Sequence, residues 1–325
     1  MSEGGPWVRL ARQVLRRRGA VAALSALLLI VLASAAAPLY AGWVGVDPFA
    51  SNVAGTTIRD GREIDLMQPN DNPLHLGLTP VGPDWRLGPY AMGADPQGRD
   101  VAARVLYGGR NSLLISAASA LLCLAVATGL GLAAGYFGGW VDAVLSRLLD
   151  ILWAVPVYLL AISLSIVTIG HALHLGIVTI ASDNLLIPVA IIALVYIPYA
   201  ARPLRARALA LARAEFVLAA RALGASHWRI LTREILPNLL DTLMVLAPLL
   251  MALCLLAESS LSFLSLGVQA PAASWGTIIQ DGEGLIYTRP MVAILPGLAI
   301  VATVLALNVL GDVLRDVLDP KGGRR

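Results

Sequence analysis

Six long apolar runs, separated by shorter polar stretches, restrict this chain more than any other feature. They lie at approximately Ala20–Leu39, Ser112–Tyr136, Ile151–Ile169, Leu185–Ala201, Leu239–Leu264 and Met291–Leu310. A helix needs roughly 20 predominantly apolar residues to cross about 30 Å of hydrocarbon. The fourth run is the shortest of the six. Composition agrees with this reading: 58% of the residues are hydrophobic and only 14% are charged. A soluble domain would lack the charged surface that prevents aggregation. The expected fold is therefore an all-α polytopic membrane protein with six transmembrane helices.

Arg16-Arg17-Arg18 before the first run, and Ala35-Ala36-Ala37 near its end, match a signal peptide with its cleavage site. The apolar core is longer than a signal segment and five more runs follow, so a retained anchor is the reading. Orientation follows from the basic residues, which concentrate on the cytoplasmic side. With the N-terminus inside, 17 of the 24 Lys and Arg residues fall there, including the seven arginines from Arg202 to Arg233. Both termini are expected in the cytoplasm. The chain then divides into a cytoplasmic tail (1–19), a first span (20–40), an external region (41–109), a core of five spans (110–313) and a C-terminal tail (314–325).

Two polar segments carry structure of their own. In the external one, Asp60-Gly61 separates the β-prone runs Thr57–Arg59 and Arg62–Ile64, and Asp-Gly between such runs predicts a two-residue hairpin. The other, loop 202–238, predicts a helix-turn-helix. Ala206–Leu223 is dense in strong helix formers, Gly224 supplies a stop, and a second short helix from His227 ends before Pro237. Gly131 and Gly135 form a small-xxx-small pair for close helix packing. Pro156, Pro188, Pro198, Pro248 and Pro296 are tolerable in membrane bundles and mark candidate kinks.

Several chemistries are missing. The basic residues are spread between apolar runs rather than gathered on one soluble module, which argues against nucleic acid. A P-loop needs a Gly-Lys-Ser/Thr triplet, and the only lysine, Lys321, is followed by glycine. His171 and His174 have no Cys or Glu nearby, so no metal site is expected. Ser259 and Ser260 lack a nearby histidine for nucleophilic work. Cys123 and Cys254 each sit inside an apolar run, which argues against a structural disulfide. No enzyme is expected. Arg147 and Asp150, at i,i+3, are expected to pair with each other. Glu258 stands out, because a carboxylate inside a spanning helix is costly unless paired, hydrated or protonated. Two roles stay open for it: contact with a solute amine in a translocation pathway, or a tie between the fifth helix and a neighbour.

The run from Glu215 to Ser226 (Glu-Phe-Val-Leu-Ala-Ala-Arg-Ala-Leu-Gly-Ala-Ser), with Leu236-Pro237 after it, resembles the EAA loop of bacterial ABC importer permeases. Glu234 departs from the broad consensus, which often has an aliphatic residue there. Gly93–Asp100 with Arg104–Gly108, Gly135–Trp140 with Asp142, Arg147 and Asp150, Ala257–Gly267 with Ser274-Trp275-Gly276, and Asn308–Asp316 resemble the C-type subunit of the dipeptide/oligopeptide branch. About residues 50–90 lie outside the resemblance, and this external loop is longer than usual.

The resemblance implies a type I ABC importer permease fold in a bacterial cytoplasmic (inner) membrane. It also implies a pathway shared with a second, B-type permease subunit, two cytoplasmic ATPase subunits that bind ATP and magnesium, and an extracytoplasmic substrate-binding protein. This chain itself would hold no cofactor. Glu215, Ala219, Ala220, Arg221, Gly224, Ala225, Ser226 and Pro237 would carry ATPase coupling. Ala219, Ala220 and Gly224 are small enough for close approach, and Arg221 and Glu215 are placed to set register. Glu258 is the pathway candidate. An ion-coupled secondary transporter using Glu258 is the alternative, but it predicts inverted repeats that are not evident and leaves the loop unexplained. A membrane-anchored assembly protein leaves Glu258 unexplained.

Overall fold

The computed structural model describes residues 6–70, 77–169, 173–175, 178–181 and 184–318. A short helix α1 (Pro6–Leu15) leads into α2 (Arg18–Ala35) and α3 (Ala37–Val44). Two small antiparallel pairs follow, β1 (Thr56–Arg59) with β2 (Arg62–Asp65) and β3 (Met67–Pro69) with β4 (Leu78–Pro80). Next come α4 (Val101–Phe137), α5 (Gly139–Ala154), α6 (Val157–Thr168), the pair β5 (Leu173–Leu175) and β6 (Val178–Ile180), and α7 (Leu186–Ala212). The chain continues through α8 (Glu215–Ala222), α9 (His227–Arg229), a π-helical turn over Ile230–Ile235, α10 (Leu236–Phe263), α11 (Trp275–Gly282) and α12 (Met291–Leu318).

The expected hairpin is present, with Thr57 opposite Ile64 and Arg59 opposite Arg62. Asp60 and Gly61 take φ of 50° and 76°, the left-handed pair that a tight two-residue turn demands. The closest helix pair is α4 with α7, and the glycine prediction explains it. A Cβ on Gly131 would lie 2.9 Å from Leu204 Cβ, and one on Gly135 would lie 2.7 Å from Ala208 Cβ. Only hydrogen at these positions lets the two backbones meet.

Among the described residues, five helices are long and apolar enough to cross a membrane unaided: α2, α4, α7, the continuous rod from His227 to Phe263, and α12. The third apolar run departs from expectation. It is not one rod but α5 and α6, meeting at 86°. Proline disfavours helical geometry in the residue before it. Val155 accordingly turns extended (φ −93°, ψ 132°), and Pro156 caps α6 instead of kinking a continuous helix.

Four further expectations are corrected. The fourth run is not short, since α7 continues past Ala201 to Ala212. The helix expected over Ala206–Leu223 is therefore split. Ala214 is extended (ψ 148°), and α8 starts afresh so that Val217 can bury completely. The helix from His227 does not stop before Pro237. The wide turn over Ile230–Ile235 shifts the hydrogen-bond frame, and Pro237 falls in the first turn of α10, where no intrahelical donor is required. Finally, Asp150 pairs with Arg202 of α7 at 2.9 Å rather than with Arg147. His171 lies outside the described residues, as does the side chain of His174.

Candidate functional site

At the end of the bundle where α4 and α7 finish, α8 lies as a short, mounted helix. Its inner side is set by sequence order. Val217 is fully buried, and Ala220 and Ala225 pack against the same core. The outer side presents Phe216, Leu218 and Leu223, the last 88% exposed, together with Glu215 and Ala219. Gly224 closes α8 with φ 75°, a left-handed conformation that costs an L-residue roughly 1–2 kcal/mol. Ser226 then opens α9, its hydroxyl accepting the Arg229 N–H at 3.3 Å. Pro237 stands exposed one turn into the following rod.

The mount is aromatic. Tyr136, at the end of α4, hydrogen-bonds His227 Nδ1 at 2.8 Å, and Phe137 also meets the imidazole ring. Arg221 places its guanidinium over the Tyr136 ring, 4.7 Å from the centroid. This contact ties α8 to α4 by cation–π attraction. Of the eight expected coupling residues, Glu215, Ala219, Gly224 and Pro237 are open to solvent, while Ala220 and Ala225 face inward. Tyr136 and His227 were not singled out by sequence, because their partnership joins positions 91 residues apart.

Glu258 is completely buried in α10. Its carboxylate accepts the Ser262 hydroxyl at 2.8 Å and the Ser259 hydroxyl at 3.3 Å, with the Ser112 and Ser274 hydroxyls beside it. Ser112 in turn accepts the Trp275 N–H at 3.0 Å. The carboxylate thus sits where α10, α4 and α11 converge, and it is satisfied by hydroxyl donors as a buried acceptor must be.

At the strand-bearing end the structure assembles a charge cluster that single-residue inspection did not reveal. Asp95, fully buried, binds Arg99 at 2.7 Å and Arg104 at 3.2 Å; both arginines then reach Asp281 of α11, at 2.9 and 2.8 Å. Asp100 caps α4 by accepting the Ala103 N–H at 2.8 Å, and burial pushes its carboxyl above the ordinary carboxylate range. The available signal was the density of charge in Asp95–Arg104. Asp281, 177 residues beyond Arg104, gave none. Among the described residues no cluster of His, Cys, Asp and Glu is arranged to hold a metal.

A family profile described as "binding-protein-dependent transport system inner membrane component" matches residues 127–323, from mid-α4 past the end of α12. The chain belongs to that family. It is an integral inner-membrane permease. A putative peptide transport system permease protein of Brucella suis is 37% identical over 97% of this chain and 92% of its own length. The glutathione transport system permease protein GsiD of Pectobacterium atrosepticum is 39% identical over 71% of this chain and 72% of its own. The dipeptide transport system permease protein DppC of Alkalihalophilus pseudofirmus is 36% identical over 77% of this permease and 76% of its own length. Among solved structures, the inward-facing MetNI methionine ABC transporter matches with a TM-score of 0.52 at 19% identity, over 66% of this chain and 96% of that one. That likeness shows the shared fold.

Proposed function

We propose that this permease forms half of the translocation pathway of an ATP-driven importer of di- or oligopeptides, energised through α8. The observation that carries the reading is the form of α8: a short helix with an apolar outer face, rigidly mounted and closed by a left-handed glycine. An exposed apolar face on a fixed element is what a partner groove requires. The chain has no P-loop, so ATP and magnesium belong to two partner ATPase subunits docked on α8. The concentration of basic residues supports a cytoplasmic position for α8 and both termini, with the β1–β4 region toward a substrate-binding protein outside. The second permease is a different chain. The names of the relatives support peptides as the solute class. Within this reading Glu258 ties α10 to α4 and α11.

ATP binding would draw the ATPase subunits together, and α8 would carry that movement to the bundle, switching it between two packings. The test is affinity purification of the assembled transporter with wild-type chain, Gly224→Glu and Leu223→Asp. Leu223 is open enough that its replacement leaves the fold intact. Loss of bound ATPase subunits and of ATP hydrolysis in both variants is the expected result, with unchanged melting for Leu223→Asp and a loss of about 1–2 kcal/mol for Gly224→Glu. Wild-type chain that carries no ATPase, or variants that hydrolyse ATP normally, would sink the proposal.

A further inference from the structure

The corner between α5 and α6 is the one interruption inside an otherwise apolar, membrane-length stretch of the described residues. Val155 and Pro156 both leave helical geometry there, so carbonyls of the last α5 turn lose their intrahelical partners. At membrane depth such backbone is tolerated only where protein covers it or water reaches it. Trp153 and Tyr158, on either side of the corner, are 45% and 44% exposed. The corner is open on this face.

That open face is not apolar. Arg202 of α7 lies over the Trp153 ring, 4.6 Å from its centroid, and donates to Asp150 Oδ1 at 2.9 Å. Tyr199, one turn earlier on α7, stacks on Trp153 with ring centroids 6.4 Å apart and planes 24° apart. Both charged side chains are about half exposed. Arg202 stands 16 residues into α7, or about 24 Å along its axis, which is near the inner boundary of an about 30 Å hydrocarbon layer. At that boundary the half-exposed pair stays within reach of water. The broken backbone and the half-exposed ion pair lie on one surface of the chain.

We infer that this corner is a solute-contact station on the pathway, where Arg202 takes a carboxylate of the passing solute while Trp153 and Tyr199 cover its apolar part. The inference rests on the importer reading above. Stacking on Trp153 fixes the plane of the guanidinium, and only one of its nitrogens is committed to Asp150. The remaining N–H groups form the fork that matches a carboxylate. Asp150 cancels the charge of Arg202, so the station attracts an anion without trapping it, as a conducting site must. The solute class is a small molecule ending in a free carboxylate, such as the C-terminus of a peptide.

The experiment uses the complete transporter, with its partner subunits and binding protein, in vesicles. Uptake of one dipeptide is measured as the free acid and as the C-terminal amide, for wild type, Arg202→Gln and Asp150→Asn. The same binding protein serves every variant, so its own preference cancels when acid-to-amide ratios are compared with wild type. Arg202→Gln is expected to lower that ratio at least about ten-fold, the scale of one charge-assisted contact. Asp150→Asn frees the guanidinium and is expected to raise it. A mere tie between α5 and α7 predicts instead that both variants depress acid and amide uptake in equal proportion or fail to assemble, and either result overturns the inference. Wild-type transporter that hydrolyses ATP yet takes up neither compound defeats the peptide reading itself, and the station with it.

Discussion

Gly129 and Gly135 lie on the same helix, α4, and the packing assigns opposite signs to one substitution at the two sites. A Cβ at 135 would stand 2.7 Å from Ala208 Cβ, 2.8 Å from the Arg205 carbonyl oxygen and 2.8 Å from the Leu209 nitrogen. Comfortable carbon contacts begin at about 3.5 Å, and two of these obstacles are backbone that cannot rotate aside. Helix α7 must then retreat by somewhat under about 1 Å, loosening the best-packed pair in the bundle. Overpacking of this kind costs about 1–3 kcal/mol, against at most about 1 kcal/mol returned by the better helix propensity of alanine. Gly135→Ala should therefore lose up to about 2 kcal/mol. At Gly129 nothing lies within 4 Å of the added carbon, so only the propensity gain remains. Thermal unfolding of the detergent-solubilised protein reads the difference at roughly 2 °C per kcal/mol. A Gly135→Ala protein that melts at or above wild type would refute the argument that these glycines set the α4–α7 spacing. So would a shift of both variants in the same direction.

Asp95→Ala should leave Arg99 and Arg104 buried beside one another, at a cost of about 3–5 kcal/mol; a wild-type melting temperature would show the cluster to be dispensable. Glu258→Leu strands the Ser259 and Ser262 hydroxyls at about 1–3 kcal/mol each, whereas Glu258→Gln keeps an acceptor and should cost about 1 kcal/mol. Equal melting of those two variants would contradict the serine shell. Cys123 and Cys254 are fully buried, so a maleimide should label neither in folded protein and both after denaturation, as mass spectrometry would report.

What could be read in the sequence was whatever short-range rules decide. Apolar length located the membrane-crossing helices, because hydrocarbon thickness leaves little choice. Asp60-Gly61 located the hairpin, because few residues tolerate two consecutive positive φ angles. Gly131 and Gly135 announced a close approach without naming the partner helix, which Leu204 and Ala208 supply only in the fold. The candidate site was legible in the same partial way. Gly224 is local punctuation and sits where a helix stop was expected. The inward turn of Ala220 and Ala225 depends on how α8 is laid against the bundle, and no spacing rule within the loop could fix that.

The breaks that were misjudged share one cause. Pro156 was visible, yet whether a proline kinks a helix or ends it depends on what receives the two halves, and here α7 offers Arg202 and Tyr199 to hold α5 short of the corner. Arg213-Ala214 lies inside a run of helix formers, and the chain breaks there because burying Val217 outweighs one turn of continuous helix. The Ile230–Ile235 turn widens beside fully buried Ile230 and Ile235, letting both reach the core while Pro237 falls at a harmless position. Two of these interruptions bracket α8. Helix α8 is therefore separate from α7 and α10, and it is held by Val217 in the core and by the cluster of Arg221, Tyr136 and His227. That cluster ends on α4, the helix whose glycines lock it to α7. The local interruptions that sequence rules misplaced are thus the features that make α8 a separate helix rather than a continuation of the bundle.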